Sequence, residues 1–231
     1  MNKINLLEDE RIDDLQYNGL KIIQNKNLYC FTCDAVILAN FAKATFKDDI
    51  LDLCSGSGVV GILTLAKTNA KSLTCLEMQK VMADMCKKTI LMNDLQNKVN
   101  VVNAKVQDAV KAFGAEKFSV IVCNPPYKKV ESHKISEKQE IGVSKYELTL
   151  NLKELIENAS KLLKFGGKFY FCHETDRLTE IIELLNRYNM PAKVLKFVYP
   201  KLKANSNIVL VKAVKGAKSG LIVEESIVLN A

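Results

Sequence analysis

The chain predicts a doubly wound α/β domain: a mostly parallel sheet of seven strands with one antiparallel edge strand and helices on both faces. Three observations carry this. Short apolar runs such as Ile50–Leu53, Ser72–Glu77 and Phe118–Cys123 alternate with longer stretches whose apolar residues recur at helical spacing. That alternation implies crossover connections and parallel strands. The two most unusual turns, Cys54-Ser-Gly-Ser-Gly58 and Asn124-Pro-Pro-Tyr127, each follow an apolar run directly. Ligands of such sheets bind beyond the carboxyl ends of the strands, at a switch point. A length of 231 residues with 48% hydrophobic content suits one such domain with small additions.

Residues 1–33 form a small N-terminal extension with short strands expected at 20–24 and 28–31, and 34–231 form the main domain. Val36, Ile37 and Phe41 with interleaved alanines predict a helix over 34–46, with Thr32 or Asp34 as N-cap. Ile50–Leu53 is a strand, the glycine turn follows, and a helix covers 59–67. After the strand Ser72–Glu77, residues Met78, Val81, Met82, Met85 and Met92 recur at helical spacing to about residue 93. This methionine stripe is read as core packing. A strand over 99–102, a short helix over 106–113 and the strand Phe118–Cys123 follow. Residues 128–145 are polar with no apolar period and form a long loop, of the kind that serves as a lid or binding element. A helix is expected over 146–163, then Gly166-Gly167 opening a strand over 168–172, a helix over 179–187, and two strands near 192–198 and 207–214 that form a hairpin.

Composition excludes several classes. No apolar stretch approaches the roughly 20 residues that span a bilayer, and the first ten residues carry no signal-peptide pattern, so a soluble cytoplasmic protein is expected. Of seven cysteines, five fall in apolar runs, which argues against a disulfide framework. Cys30-Phe-Thr-Cys33 has metal-site spacing but no second pair, and the two histidines are distant at 133 and 173, so no metal is expected. Net charge is +7, and between Lys161 and Lys218 twelve Lys or Arg face four Asp or Glu. Lysine is a flexible point charge that suits phosphates better than base edges, which points to a polyanion partner.

The first turn, Asp52-Leu-Cys-Ser-Gly-Ser-Gly58, joins a strand to a helix. Glycines there allow close backbone approach, and the helix start presents free N–H groups. It lacks the Gly-Lys-Ser/Thr of a P-loop and is not in the usual dinucleotide frame. Glu77 ends the next strand, 19 residues beyond Gly58, where an acid accepts from ribose hydroxyls. Asp52 is either a ligand contact or a carboxylate that holds the turn. In the second turn, prolines stiffen the backbone and bias Asn124 and Pro125 to extended conformation. An amide side chain, a carbonyl without local competitors and an aromatic face are thus presented together, which suits gripping a planar amino group and stacking on its ring.

Together the two turns resemble those of amino-methyltransferases that use S-adenosyl-L-methionine, with a Rossmann-like class I fold. Asp52-Leu-x-x-Gly56-x-Gly58 matches the family's cofactor signature. Attack by an aromatic amine requires its nitrogen to become more tetrahedral. The Asn124 side-chain oxygen and the Pro125 carbonyl are the natural acceptors for its two hydrogens, Pro126 stiffens the turn, and Tyr127 would stack on the base, a contact worth roughly 1–3 kcal/mol.

Nearly the whole chain resembles a bacterial family of tRNA1(Val) (adenine-N6)-methyltransferases acting at tRNA position 37. The resemblance runs from Arg11-Ile-Asp-Asp-Leu15 and Phe31-Thr-Cys-Asp34 through both turns to Phe197-Val-Tyr-Pro-Lys201 and Lys215-Gly-Ala-Lys-Ser-Gly-Leu221. It implies that Thr32 and Asp34 reach the methionine end of the cofactor. Asp52, Cys54, Gly56, Gly58, Glu77, Met78 and Asn124 complete the expected cofactor set, and Asn124, Pro125, Pro126 and Tyr127 the catalytic one. The implied partner is a tRNA anticodon stem-loop held through the lysine-rich surface. Three departures stand out: Lys105 where the family has an acid near the cofactor adenine, with Asp108 as a candidate substitute; Lys145-Tyr146-Glu147 for Arg-His-Glu; and Lys128 for a phenylalanine.

The same tetrapeptide occurs in enzymes that methylate a glutamine amide or another nucleic-acid base. Those readings stay open, as does a non-catalytic cofactor- or RNA-binding protein. The lack of a long helical N-terminal domain or a target-recognition domain favours tRNA. An anticodon-loop adenine is also unpaired already, which lowers the cost of extruding it.

Overall fold

The computed structural model describes residues 4–125 and 150–230; Pro126, Tyr127 and the expected loop 128–145 lie outside them. Nine strands form one sheet. Along the chain, β3 (Asp49–Leu53), α2 (Val59–Thr68), β4 (Ser72–Glu77), α3 (Lys80–Met92) and β5 (Val99–Asn103) step outward, with α1 (Cys33–Phe41) before them. The chain then crosses back through α4 (Ala109–Phe113) to β6 (Phe118–Cys123), and continues as α5 (Leu152–Leu162), β7 (Leu163–Glu174), α6 (Leu178–Arg187), β8 (Ala192–Lys201) and β9 (Ile208–Val214). The strand order is β10-β8-β9-β7-β6-β3-β4-β5, and β11 (Ile227–Asn230) also pairs with β8, as does β10 (Ile222–Val223). The order reverses between β3 and β6, which makes their carboxyl ends the switch point.

The antiparallel strand differs from expectation. It is β9, and it lies between β7 and β8, antiparallel to both, rather than at an edge. Four consecutive residues, Ile208 to Val211, are buried, so this strand needs cover on both faces. The hairpin expected from the sequence exists, but it folds inward. The edge is instead closed by β10 and β11, which no sequence signal announced: β10 is exposed, and neither strand has a long apolar run.

Successive strand residues serve opposite faces, as the pleat dictates. Ile50, Val120, Val122, Tyr170 and Cys172 face α1 and α2 in one core. Leu51, Leu53, Ile121, Cys123, Phe169 and Phe171 face α5 and α6 in the other. The methionine stripe packs as expected: Met82, Met85 and Met92 on α3 cover Ile23 and Leu28 of the N-terminal segment. There β1 (Glu10–Asp14) and β2 (Lys21–Asn25) pair antiparallel as a separate two-stranded sheet.

Other boundaries shift for local reasons. Residues 28–31 are not a strand, because Gln24 of β2 captures them: its Oε1 accepts from Phe31 N at 3.1 Å. Helix α1 stops at Phe41, and Thr45 is held in a turn whose N–H and hydroxyl both donate to Asp48 at 2.7 and 2.9 Å. Of the helix expected over 146–163, residues 146–149 lie outside the described ones; helix α5 is capped at Asn151, which forms a capping box with Glu154, whose N–H donates to its side chain at 2.9 Å. Gly166 and Gly167 lie inside β7, at a register shift against β6, rather than opening the strand.

Candidate active site

Four parallel strands run in register toward the carboxyl edge. Leu76 pairs with Leu53, Leu53 with Cys123, and Cys123 with Phe171. The next residue on each strand therefore stands in one row at the carboxyl edge: Glu77, Cys54, Asn124 and Cys172. Neighbouring strands are about 4.8 Å apart, so the row spans about 14 Å. Glu77, Cys54 and Asn124 line one cavity together with Gly56 and Met78. The glycine turn and Asn124, the first residue of the second turn, thus share a single cleft.

The glycine turn is held by its neighbours. Ser55 N donates to Leu76 O at 3.0 Å, and Gly58 N donates to Ser55 O at 2.8 Å. Gly58, the residue before α2, has φ 97°, a conformation that favours glycine, and a Cβ there would stand 2.8 Å from Cys86 Sγ. Cys54 takes φ 58°, in the left-handed region that non-glycine residues rarely enter. Glu77 ties the turn to the next strand: Oε2 accepts from Gly56 N at 2.9 Å, and Oε1 accepts from Gln79 N at 2.8 Å. Burial raises the Glu77 carboxyl above its ordinary value, while its bonds from the Gln79, Gly56 and Met78 N–H groups oppose the rise.

Asp52 lies beneath this turn, fully buried, and does not line the cavity. Its Oδ2 accepts from Gly61 N at 2.8 Å. A side chain at position 61 would collide with that oxygen, its Cβ standing 2.8 Å away, so the glycine admits the carboxylate under α2. Burial pushes Asp52 up to about 8, the Gly61 N–H opposes this, and the Glu77 charge adds to it. Asp52, expected as a ligand contact or as a carboxylate that holds the turn, thus bonds the first turn of α2 and stands outside the cavity lining.

Other expected contacts are also displaced by a residue or two. Thr32 and Asp34 bond each other at 3.2 Å, and the residues beside them, Phe31 and Ala35, line the cavity instead. Gly58 and Pro125 lie behind the wall rather than in it, both buried. Neither Lys105 nor Asp108 reaches the cavity; Gln107, between them, does, and its Nε2 donates to Glu154 at 3.0 Å. At the far end of the row, Asn124 Oδ1 accepts from the thiol of Cys172 at 2.9 Å.

Sequence reasoning missed several wall residues. Tyr29 and Phe31 form one side and Val106 and Leu150 another, with Ser57 in the turn. Gln24 was missed as well: buried, it donates from Nε2 to Ser57 Oγ at 2.8 Å and so braces the glycine turn against β2. A lone glutamine in an apolar strand was the available signal. Cys30 and Cys33 are free thiols outside the cavity, and the described residues contain no group of three or more His, Cys, Asp or Glu arranged to hold a metal. No helix among them is long and apolar enough to cross a membrane.

The basic tail is partly used up inside the fold. Lys196 pairs with Glu224 at 3.3 Å, Lys215 with Glu116 at 3.0 Å, and Lys193 donates to Lys218 O at 3.0 Å. Strand β8 runs parallel to β3 and β6, so exposed Lys201 and Lys203 stand at the same end of the sheet as the cleft.

An open sheet with its cleft at the β3/β6 switch point and an acid at the end of β4 defines a Rossmann-like class I methyltransferase fold. Solved structures agree. A predicted O-methyltransferase from Agrobacterium tumefaciens superposes with TM-score 0.67 at 21% identity, over 85% of this chain and 87% of that one. TYW2 of M. jannaschii, solved in complex with AdoMet, superposes with TM-score 0.62 at 11% identity, over 91% and 88%. The family profile described as methyltransferase small domain matches residues 32–198. The chain belongs to that family. Among curated relatives, a tRNA1(Val) (adenine(37)-N6)-methyltransferase of a Flavobacteriaceae bacterium is 24% identical over 67% of this chain and 63% of its own length. One of the same name from Shewanella amazonensis is 32% identical over 46% and 43%. The matched stretches thus span less than two thirds of these relatives' length.

Proposed function

We propose that this protein transfers a methyl group from S-adenosyl-L-methionine to the N6 amine of the adenine at position 37 of a valine tRNA. The observation that carries the reading is that Asn124, Glu77 and the glycine turn share one cavity. The walls fit the cofactor: a buried carboxylate for ribose hydroxyls at Glu77, the apolar side chains of Met78, Val106 and Leu150 for the adenine, and the glycine turn and Asn124 in the same cavity. Glu77, Met78 and the glycine turn would hold the cofactor, which would supply an electrophilic methyl, and the amine that accepts it would lose its proton to water.

The chain's part is to orient the amine. Asn124 Oδ1 accepts one of its hydrogens, the Pro125 carbonyl accepts the other if substrate binding opens the wall in front of it, and Tyr127 stacks on the base. Preorganised acceptors of this kind act most strongly in a dry site. Gln107 takes the adenine-facing place for which the sequence offered Lys105 or Asp108. Residues 34–231 form the catalytic unit, with residues 1–33 as an extension packed on α3. Lys201 and Lys203 supply phosphate contacts for the anticodon stem-loop, and the work is cytoplasmic, where tRNA is found. The names of the curated relatives support the choice of adenine 37.

The test is transfer of labelled methyl to bulk tRNA, a release factor and DNA in turn, followed by mass mapping of modified nucleosides in tRNA with and without the gene. N6-methyladenosine at position 37 that depends on the gene is expected. Asn124→Ala should reduce turnover by about 10²-fold or more, with cofactor affinity changed less, as loss of an oriented dipole does. Label entering only the release factor would move the reading to glutamine amides. Cofactor binding without transfer to any acceptor would make the protein a non-catalytic binder.

A further inference from the structure

The register that aligns Cys123 with Phe171 also places Asn124 beside Cys172. The two are the terminal pair of the row, and they are bonded: the Cys172 thiol donates to Asn124 Oδ1 at 2.9 Å. Cys172 is fully buried, packed in the core with Val120, Val122 and Tyr170. We propose that Cys172 is a positioning residue, whose thiol proton sets the orientation of the Asn124 amide so that its oxygen faces the substrate amine.

The argument rests on the donor and acceptor properties of the two groups. An asparagine amide offers an oxygen and an NH2 of nearly equal size, and rotation about its last bond exchanges them. Only the oxygen can accept a hydrogen from an exocyclic amine; the NH2 would meet it donor to donor. A thiol is a weak acceptor, so facing it the amide presents oxygen rather than NH2. A carbonyl oxygen has two acceptor sites. The thiol occupies one and leaves the other for the amine. Burial raises the Cys172 thiol well above its ordinary value, so it keeps its proton and remains a donor. The cavity wall holds a second thiol, Cys54, on the glycine turn, but the bond to Asn124 comes from Cys172.

The inference rests on the methyl-transfer reading, and its test separates the two. The thiol stretching band that disappears in Cys172→Ala belongs to this group; in Asn124→Ala it should shift to higher frequency as its hydrogen bond is lost. With labelled cofactor and tRNA, Cys172→Ala should reduce kcat about 3- to 10-fold, the size expected for one neutral hydrogen bond, with the KM for cofactor within about twofold. Cys172→Ser, which also donates, should recover most of the rate. In an Asn124→Ala background the alanine at 172 should cost nothing further. A wild type that transfers no methyl to tRNA overturns the methyl-transfer reading, and the positioning role with it, whatever the band does. Active wild type with equal rates for Cys172→Ala, or a serine variant as slow as alanine, overturns the positioning role alone. A band unmoved by Asn124→Ala does the same without reference to activity.

Discussion

Replacing Glu77 by glutamine probes both halves of its role. Each carboxylate oxygen accepts a backbone N–H, from Gly56 at 2.9 Å and from Gln79 at 2.8 Å. Glutamine keeps one oxygen and turns an NH2 toward the other donor. One half-buried N–H then loses its acceptor, which costs at most about 1–3 kcal/mol. For a chain of this size that is a fall in melting temperature of roughly 2–12 °C. Loss of the charge also weakens the bonds proposed from the ribose hydroxyls. Hydrogen bonds to charged groups contribute about 1.5–3 kcal/mol each, so one lost bond weakens binding by roughly 10- to 150-fold. Calorimetric titration with S-adenosylhomocysteine, the product form, reads the affinity, and thermal melts read the stability. A variant that melts lower but binds within twofold of wild type would show that Glu77 only braces the turn. A variant unchanged in both would refute the geometry itself.

Three further outcomes are expected. Folded Asp52 titrates near 8 against an ordinary 3.8, so the native state holds this proton more tightly than the unfolded chain. Its contribution is complete below the lower value and is lost as pH rises through the upper one, with Glu77 shifted in the same sense. The urea midpoint of the ligand-free protein should fall across that window, and Asp52→Asn should flatten the fall; parallel profiles would remove Asp52 as the cause. Cys54 is half-buried in the cavity wall. Its alkylation, followed by peptide mass spectrometry, should slow when S-adenosylhomocysteine is present, while labelling of exposed Cys33 proceeds unchanged; equal rates at Cys54 would place the ligand elsewhere. Binding of tRNA should weaken steeply with salt, and Lys201→Glu with Lys203→Glu should reduce the log–log slope by about 0.7–0.9 per contact removed. An unaltered slope would exclude that turn from the interface.

Much of this molecule was legible in one dimension. The strands Ser72–Glu77 and Phe118–Cys123 fall where their apolar runs lie. A strand buried on both faces must be apolar throughout, and that leaves a plain trace. The methionine stripe was legible because helical spacing alone decides which side chains share a face. The glycine turn was legible because glycine permits backbone conformations that other residues rarely adopt, whatever the rest of the chain does. By contrast, residues 28–31 could not be told from a strand, since the group that captures them, Gln24, acts through its side chain.

By itself, then, the sequence determined the α/β alternation, the glycine turn and the place of Asn124 at the end of β6, because each depends on local backbone preference or on period. Tertiary structure alone decided which residues meet. The insertion of β9 between β7 and β8, the burial of Asp52 beneath Gly61, the approach of Gln107 rather than Lys105, and the bond from Cys172 to Asn124 all follow from inter-strand register and layer packing. Register is a property of pairs of strands distant in the chain, and a shift of one residue would turn Asp52 and Cys172 to the opposite face.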